Sequence, residues 1–176
     1  MDADAIVLID FAADGVVERW APIDDVVMGG VSSSRLERTP RGAAFTGTVS
    51  LDYGGGFASV RSRPDRWPTD GALALRLHVR GDGRRYKLTA RTDAGFDGVQ
   101  YQCEFDTRAA LAPHEWQSVE IPVAAFVASF RGRRVPGAPP LDAAAIRQFG
   151  LMISGKQAGP FRLELRRLEA VRGTRH

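Results

Sequence analysis

Ala72-Leu73-Ala74-Leu75-Arg76-Leu77-His78-Val79-Arg80 sets Leu73, Leu75, Leu77 and Val79 against Ala74, Arg76, His78 and Arg80 with a period of two. Successive side chains of a β-strand point to opposite faces, whereas a helix would scatter this pattern around its axis. The stretch therefore predicts a strand with one face in a core and the other in water. The same rhythm recurs outward from it, at Ile6–Phe11, Ser33–Glu37, Ala44–Leu51, Phe57–Arg63, Tyr86–Thr92, Val99–Phe105, Trp116–Ile121, Gly150–Ile153 and Phe161–Leu168. Turn-forming residues separate these runs: Pro40-Arg41-Gly42, Gly54-Gly55-Gly56, Gly81-Asp82-Gly83, Asp93-Ala94-Gly95 and Gly159-Pro160. Many short strands at such spacing predict an all-β fold, an antiparallel sandwich or jelly roll of about ten strands.

Helical signal is confined to Asp142-Ala143-Ala144-Ala145-Ile146, where Asp142 can cap free backbone N–H groups. One or two short helices are therefore expected, and a parallel α/β architecture is not. Arg131 to Pro140 holds three arginines and three prolines and reads as a long, stiffened surface loop. With no repeat and no low-complexity tail, residues 1–176 read as one domain.

An apolar share of 44% and a charged share of 26% are ordinary for a chain that folds by hydrophobic burial. The net charge of +3 is too small to signal nucleic-acid binding. Of the 24 basic residues only Lys87 and Lys156 are lysines, and the arginines alternate with acids, which reads as a GC-rich coding bias rather than a phosphate-binding surface. The single cysteine, Cys103, excludes an internal disulfide and a cysteine-built zinc site, and its alternation with Tyr101 and Phe105 reads as a buried strand thiol rather than a nucleophile. The acidic opening Met1-Asp2-Ala3-Asp4 lacks the form of a signal peptide, and Ile121–Phe130 is about half the ~20 apolar residues a membrane helix needs. A cytoplasmic location without a membrane span is the expectation.

Chemistry-bearing motifs are few. The chain has no Gly-x-Ser-x-Gly, phosphate loop, dinucleotide fingerprint or His-Glu-x-x-His, and His78, His114 and His176 have no metal-ligand spacing to one another. A non-catalytic protein without cofactor or metal is expected, although carboxylates paired only by folding, as glycosidases use, leave no sequence trace.

The sharpest local feature is Asp24-Asp25 followed by Met28-Gly29-Gly30 and Ser32. Its readings are a rigid turn whose aspartates accept from the chain's own N–H groups, a turn that lines a ligand, or a calcium site. Three strands supply a second candidate, because Ala58 and Val60 should face the core while Phe57, Ser59 and Arg61 face away, as should Lys87, Thr89 and Arg91, and Gln100, Gln102 and Glu104. In one sheet these would form a polar floor in which Arg61, Arg91 and Gln102 offer hydrogen bonds to sugar hydroxyls, carboxylates or a peptide; the alternative is a solvated sheet face. Neither arginine is expected in the core. Lys156-Gln157, before Gly159-Pro160, reads as a strand-connecting turn that could reach a pocket rim. Of Trp20, Trp67 and Trp116, at least two are expected to be packed rather than displayed.

Several blocks occur in an order that resembles the complex I intermediate-associated protein 30 family: Trp20-Ala-Pro-Ile-Asp-Asp-Val-Val-Met-Gly-Gly-Val-Ser, Phe45-Thr-Gly-Thr-Val-Ser-Leu, Gly55-Gly-Phe-Ala-Ser-Val-Arg, Leu75 to Leu88, Trp116 to Phe126, Phe130-Arg-Gly-Arg and Gly150 to Glu164. The resemblance extends over roughly Phe11 to Val171. It implies a galactose-binding-like β-sandwich and a protein-binding, assembly-factor or chaperone-like role, with respiratory-chain subunits as partners. The fold it implies is shared with carbohydrate-binding modules, so a glycan is the alternative ligand. Gly155 departs from the family's frequent acidic residue at that turn.

Overall fold

The computed structural model describes residues 4–24, 30–95, 98–110, 112 and 115–173. They form two antiparallel sheets. The six-stranded sheet runs β3 (Ser33–Thr39), β4 (Gly42–Val49), β13 (Gly159–Arg172), β6 (Ala72–Arg80) and β9 (Gln117–Pro122), with β1 (Ala5–Asp10) on the second half of the long β13. The seven-stranded sheet runs β11 (Arg133–Arg134), β10 (Val127–Phe130), β8 (Gln100–Asp106), β7 (Arg85–Arg91), β12 (Gln148–Ile153), β5 (Ala58–Ser62) and β2 (Trp20–Pro22). The chain crosses between sheets at β1–β2, β2–β3, β4–β5, β5–β6, β6–β7, β8–β9, β9–β10 and β12–β13, which makes a jelly-roll-like sandwich.

Their inner faces meet in one core, with Phe45, Leu75, Leu77, Leu163 and Leu165 from the first sheet against Tyr86, Leu88, Phe149, Leu151 and Ile153 from the second. The expected helical turn is a 3-10 turn at Ala143–Ala145, and Asp142 Oδ1 accepts the Ala144 N–H at 3.1 Å.

Four expectations need correction. The described residues form thirteen strands rather than nine or ten, the additional ones being the short edge strands β2 and β11 and the four-residue β10, which are too short to show a period. Leu73 is 64% exposed rather than core, because it falls at the register shift where β13 passes from Val171 to Arg172. Arg131–Arg134 is not simply loop: Arg131 (φ 49) and Gly132 (φ 80) make a two-residue turn between β10 and β11, the primed geometry that matches strand twist. Finally, the outer face of the six-stranded sheet is not simply wet. Arg80 pairs with Glu164, His78 and Arg167 with Glu169, and Arg76 with Glu120, so that Arg76 and Glu169 are largely buried under this ladder.

Candidate functional site

Strands β5, β7 and β8 do lie in one sheet, and register fixes which of their residues meet. Gln102 pairs with Thr89, Thr89 with Gly150 and Gly150 with Arg61, giving one row on the face away from the core. Arg61 and Gln102 are thus three strands apart, roughly 14 Å at the usual ~4.8 Å spacing. Arg91 belongs to the same face one row further along, opposite Gln148.

Much of this floor is closed. Thr89, Arg91 and Gln148 are 4%, 3% and 4% exposed, and Arg61 is half-buried. Arg91 donates to Asp93 Oδ1 at 3.1 Å, while Gln148 Nε2 donates to the carbonyls of Asp93 at 3.0 Å and Gly95 at 3.3 Å. These bonds fold the β7–β8 connection over its end of the face. A Cβ on Gly98 would sit 2.9 Å from an Arg91 guanidinium nitrogen, so a larger residue there would have to displace the Arg91 side chain. At mid-row the Thr89 hydroxyl occupies the space a Gly150 side chain would take, 2.3 Å from an added Cβ. The expectation that Arg91 lies outside the stability-determining interior is therefore corrected: a charged group buried this far is held by, and holds, its neighbours.

The open part of the face lies toward β8, β10 and β11. Lys87, Gln102, Glu104, Val127, Ser129 and Arg134 border a groove of about 360 Å³. The half-buried Cys103 flanks it, its thiol pushed up by burial and, secondarily, by Glu104.

The turn residues resolve toward self-satisfaction. Asp24 Oδ1 accepts from the Ser34 hydroxyl and, at 3.0 Å, from the Ser59 N–H, and its Oδ2 accepts the Ser34 N–H at 3.0 Å. Ser32 is buried and exchanges hydrogen bonds with the Ser50 backbone through its hydroxyl, and Gly30 is buried. Asp25, Met28 and Gly29 lie outside the described residues, so the calcium reading of the aspartate pair does too. Among the described residues no three His, Cys, Asp or Glu side chains gather to hold a metal ion. Gln157 behaves as a surrogate strand residue: its Oε1 accepts the Arg85 N–H at 3.0 Å and its Nε2 donates to the Arg85 and Ser154 carbonyls. Beside it Lys156 is exposed, with φ 57.

Three features had no usable sequence signal. Val31, Leu51 and Tyr53 are exposed together at the end of the sandwich where Ser32 and Ser50 pair. Trp20 and Trp67 wall a hollow of about 640 Å³ at the other end. Trp116, under the Arg166 guanidinium at 5.9 Å, borders a second hollow with Arg41 and Arg167. Each needs residues far apart in the chain, so no local pattern announces it.

The fold is similar to that of the family 11 carbohydrate-binding module of a cellulosomal cellulase from Clostridium thermocellum, with TM-score 0.65 and 15% identity over 96% of this chain and 95% of that one. The same module in complex with a β-1,3-1,4-mixed-linked tetrasaccharide gives TM-score 0.64 and 16% identity, covering 98% of both. At such identity the likeness is one of fold.

In sequence, the chain is 32% identical to the mitochondrial Complex I intermediate-associated protein 30 of Drosophila melanogaster, covering 90% of this chain and 60% of that protein. The mouse mitochondrial protein of the same name is 30% identical over 85% of this chain and 51% of its own length. An uncharacterized protein of Schizosaccharomyces pombe is 31% identical over 89% of this chain and 82% of its own length. The chain thus spans between half and three-fifths of the two named relatives. Both are mitochondrial, which overturns the expectation of a cytoplasmic location; that expectation rested on the first few residues, and these do not determine the compartment of a chain that matches only part of its relatives. Among the described residues no helix is long and apolar enough to cross a membrane. Residues 9–165 match the family model described as Complex I intermediate-associated protein 30, and the chain belongs to that family.

Proposed function

We propose that this chain is a non-catalytic binding module that holds a protein partner during assembly of respiratory complex I, acting as an assembly factor. The observation that carries the reading is Tyr53. The residue is 81% exposed and its backbone is left-handed, φ 56 and ψ 31. For a residue with a Cβ that conformation costs on the order of 1 kcal/mol or more. Here the strain displays an aromatic ring to solvent instead of burying it. Val31 and Leu51, 51% and 45% exposed, lie at the same end, and Lys156 is near Leu51 across Gly56, whose added Cβ would be 3.7 Å from both the Leu51 and Lys156 side chains. An apolar tip with a tyrosine anchor and a cationic rim has the composition of a protein-binding hot spot. Family membership supports complex I subunits as the partner class.

A second reading, carbohydrate binding, is favoured by the polar groove beside Gln102 and Glu104. Against it, the described lining has no aromatic platform on which a sugar ring could stack.

Affinity purification of the tagged chain from respiring cells, with quantitative mass spectrometry, separates the two. Complex I subunits should co-purify, and Tyr53→Ala with Leu51→Ser should lower their recovery about tenfold or more while the melting temperature holds. Unchanged recovery in that variant would remove the tip from the proposal. Saturable oligosaccharide binding on a glycan array, abolished by Gln102→Ala and without complex I subunits in the purification, would replace it by the second reading.

A further inference from the structure

The 640 Å³ hollow lies at the opposite end of β5 from Tyr53. It opens between β1, on the six-stranded sheet, and β2, the edge of the seven-stranded sheet, with residues 63–68 as its far wall. The size falls within the ~300–1,000 Å³ typical of small-molecule sites.

Its walls are rigid. The Trp20 ring packs on Phe11 at 5.9 Å and the Trp67 ring on Phe149 at 5.3 Å, and the Trp67 indole N–H donates to the Arg147 carbonyl at 3.1 Å. The far wall is pinned where the Arg63 N–H donates to the Arg19 carbonyl at 2.8 Å and the Asp65 N–H to the Arg147 carbonyl at 2.9 Å. Pro64 and Pro68 restrict the chain between these ties.

Charge on this lining is unbalanced. Arg19, Arg63 and Arg66 all border the hollow, and among the described residues none of the three forms an ion pair, in contrast to Arg35, Arg80 and Arg162 elsewhere. The two acids on the lining, Asp10 and Asp65, leave a net charge of one positive and each commits one oxygen to the backbone: Asp10 Oδ1 accepts the Ala12 N–H at 2.9 Å and Asp65 Oδ1 the Arg66 N–H at 2.7 Å. Strand addition is disfavoured on both sides, because β1 carries a register break at Leu8 and β2 ends at Pro22. Recognition must then come from side chains, which here are two fixed indoles and three guanidinium forks.

We infer that this hollow is a ligand site for an anionic group carried on a flat apolar body, an aromatic carboxylate or sulfonate being the matching chemistry. Guanidinium forks take the anion and the indole walls take the ring. The site is independent of the partner-docking tip, so either can fail alone.

The probe is 8-anilinonaphthalene-1-sulfonate, a flat naphthalene that carries a twisted anilino ring and one anionic group, titrated into the folded chain. Because two of the three tryptophans wall the hollow, bound dye emits on indole excitation. Saturable, sensitised emission is expected. The double variant Arg63→Gln, Arg66→Gln should bind about tenfold or more weakly, as should the neutral analogue N-phenyl-1-naphthylamine on the wild type. Both arginines are exposed, so folding should survive; Arg19→Gln provides an independent variant expected to weaken binding in the same direction. Absent sensitised emission, equal affinity in all variants, or equal affinity for the neutral analogue would each overturn the assignment.

Discussion

The Asp24 carboxylate accepts the backbone N–H of Ser59 at 3.0 Å, and in doing so joins the two sheets at their edge. Ser59 lies on β5 of the seven-stranded sheet, and Ser34, which donates both its N–H and its hydroxyl to the same carboxylate, lies on β3 of the six-stranded one. The Ser59 hydroxyl in turn donates to the Ile23 carbonyl. What reads in sequence as half of an acidic pair is a clasp.

Asp24→Ala should therefore act on stability before it acts on any ligand. Loss of an acceptor serving at least three donors, among them the Ser34 and Ser59 backbone N–H groups, is expected to cost about 2–3 kcal/mol. For a chain of this length that corresponds to a fall of roughly 4–12 °C in melting temperature, measurable by calorimetry. A change under ~0.5 kcal/mol would mean that water replaces the carboxylate without penalty.

Arg91 and Gln148 together hold the β7–β8 connection. Arg91→Ala is expected to lower unfolding free energy by about 2 kcal/mol, and Gln148→Ala by about 1–2 kcal/mol. Hydrogen exchange supplies the local readout: amides around Asp93 and Gly95 should exchange faster in either variant. A stable Arg91→Ala protein with unaltered exchange would return this arginine to the list of ligand-binding groups.

Gly150 and Thr89 make a double-mutant test of packing on the polar face. Gly150→Ala places a methyl group 2.3 Å from the Thr89 hydroxyl and 3.0 Å from the Val60 carbonyl. A loss of about 1–3 kcal/mol is expected from overpacking. Thr89→Ala should recover part of it in the double variant, leaving the Val60 contact as the remainder. Strict additivity of the two losses would show that the side chains do not meet.

Stability should decline on the alkaline side through Tyr86 and Cys103. Burial, reinforced by the neighbouring Asp82 charge, holds the Tyr86 hydroxyl protonated well above its ordinary value of 10.0, and burial with Glu104 does the same for Cys103 above 9.0. Between the unfolded and folded values only the unfolded chain gives up the proton, so the stabilisation is whole below the unfolded values and is lost as pH rises through about 9 to 10 and beyond. Tyr86→Phe should flatten this decline in pH-dependent urea melts, at a cost near 1 kcal/mol at neutral pH for the hydrogen bond to Asp82. On the acid side Glu37, held low by Arg35 and Arg162, contributes above its unfolded value of 4.5 and loses that contribution as pH falls through its lower folded value.

The sequence by itself determined the fold class, because the alternation of core and outward residues is a local property that one strand declares without its neighbours. Leu75, Leu77 and Val79, Ala58 and Val60, and the outward set Lys87, Thr89 and Arg91 all took the faces their period required. So did the Asp142 cap, which needs only the next two residues. Family membership was likewise readable in the ordered blocks from Trp20 to Glu164. Whether an outward face is wet was not. Period two says that Arg91 points away from the core but is silent on what lies over it, and only folding brought Asp93, Gly95 and Gly98 there. The same holds for the Asp24 clasp, whose donors are 10 and 35 residues away, and for the hollow walled by Trp20 and Trp67, which belong to separate segments joined through Arg147 and Ser62. Strand direction is set by short-range sterics, whereas the cover over a strand, the partners of a buried charge and the walls of a hollow are set by long-range packing that no single stretch encodes.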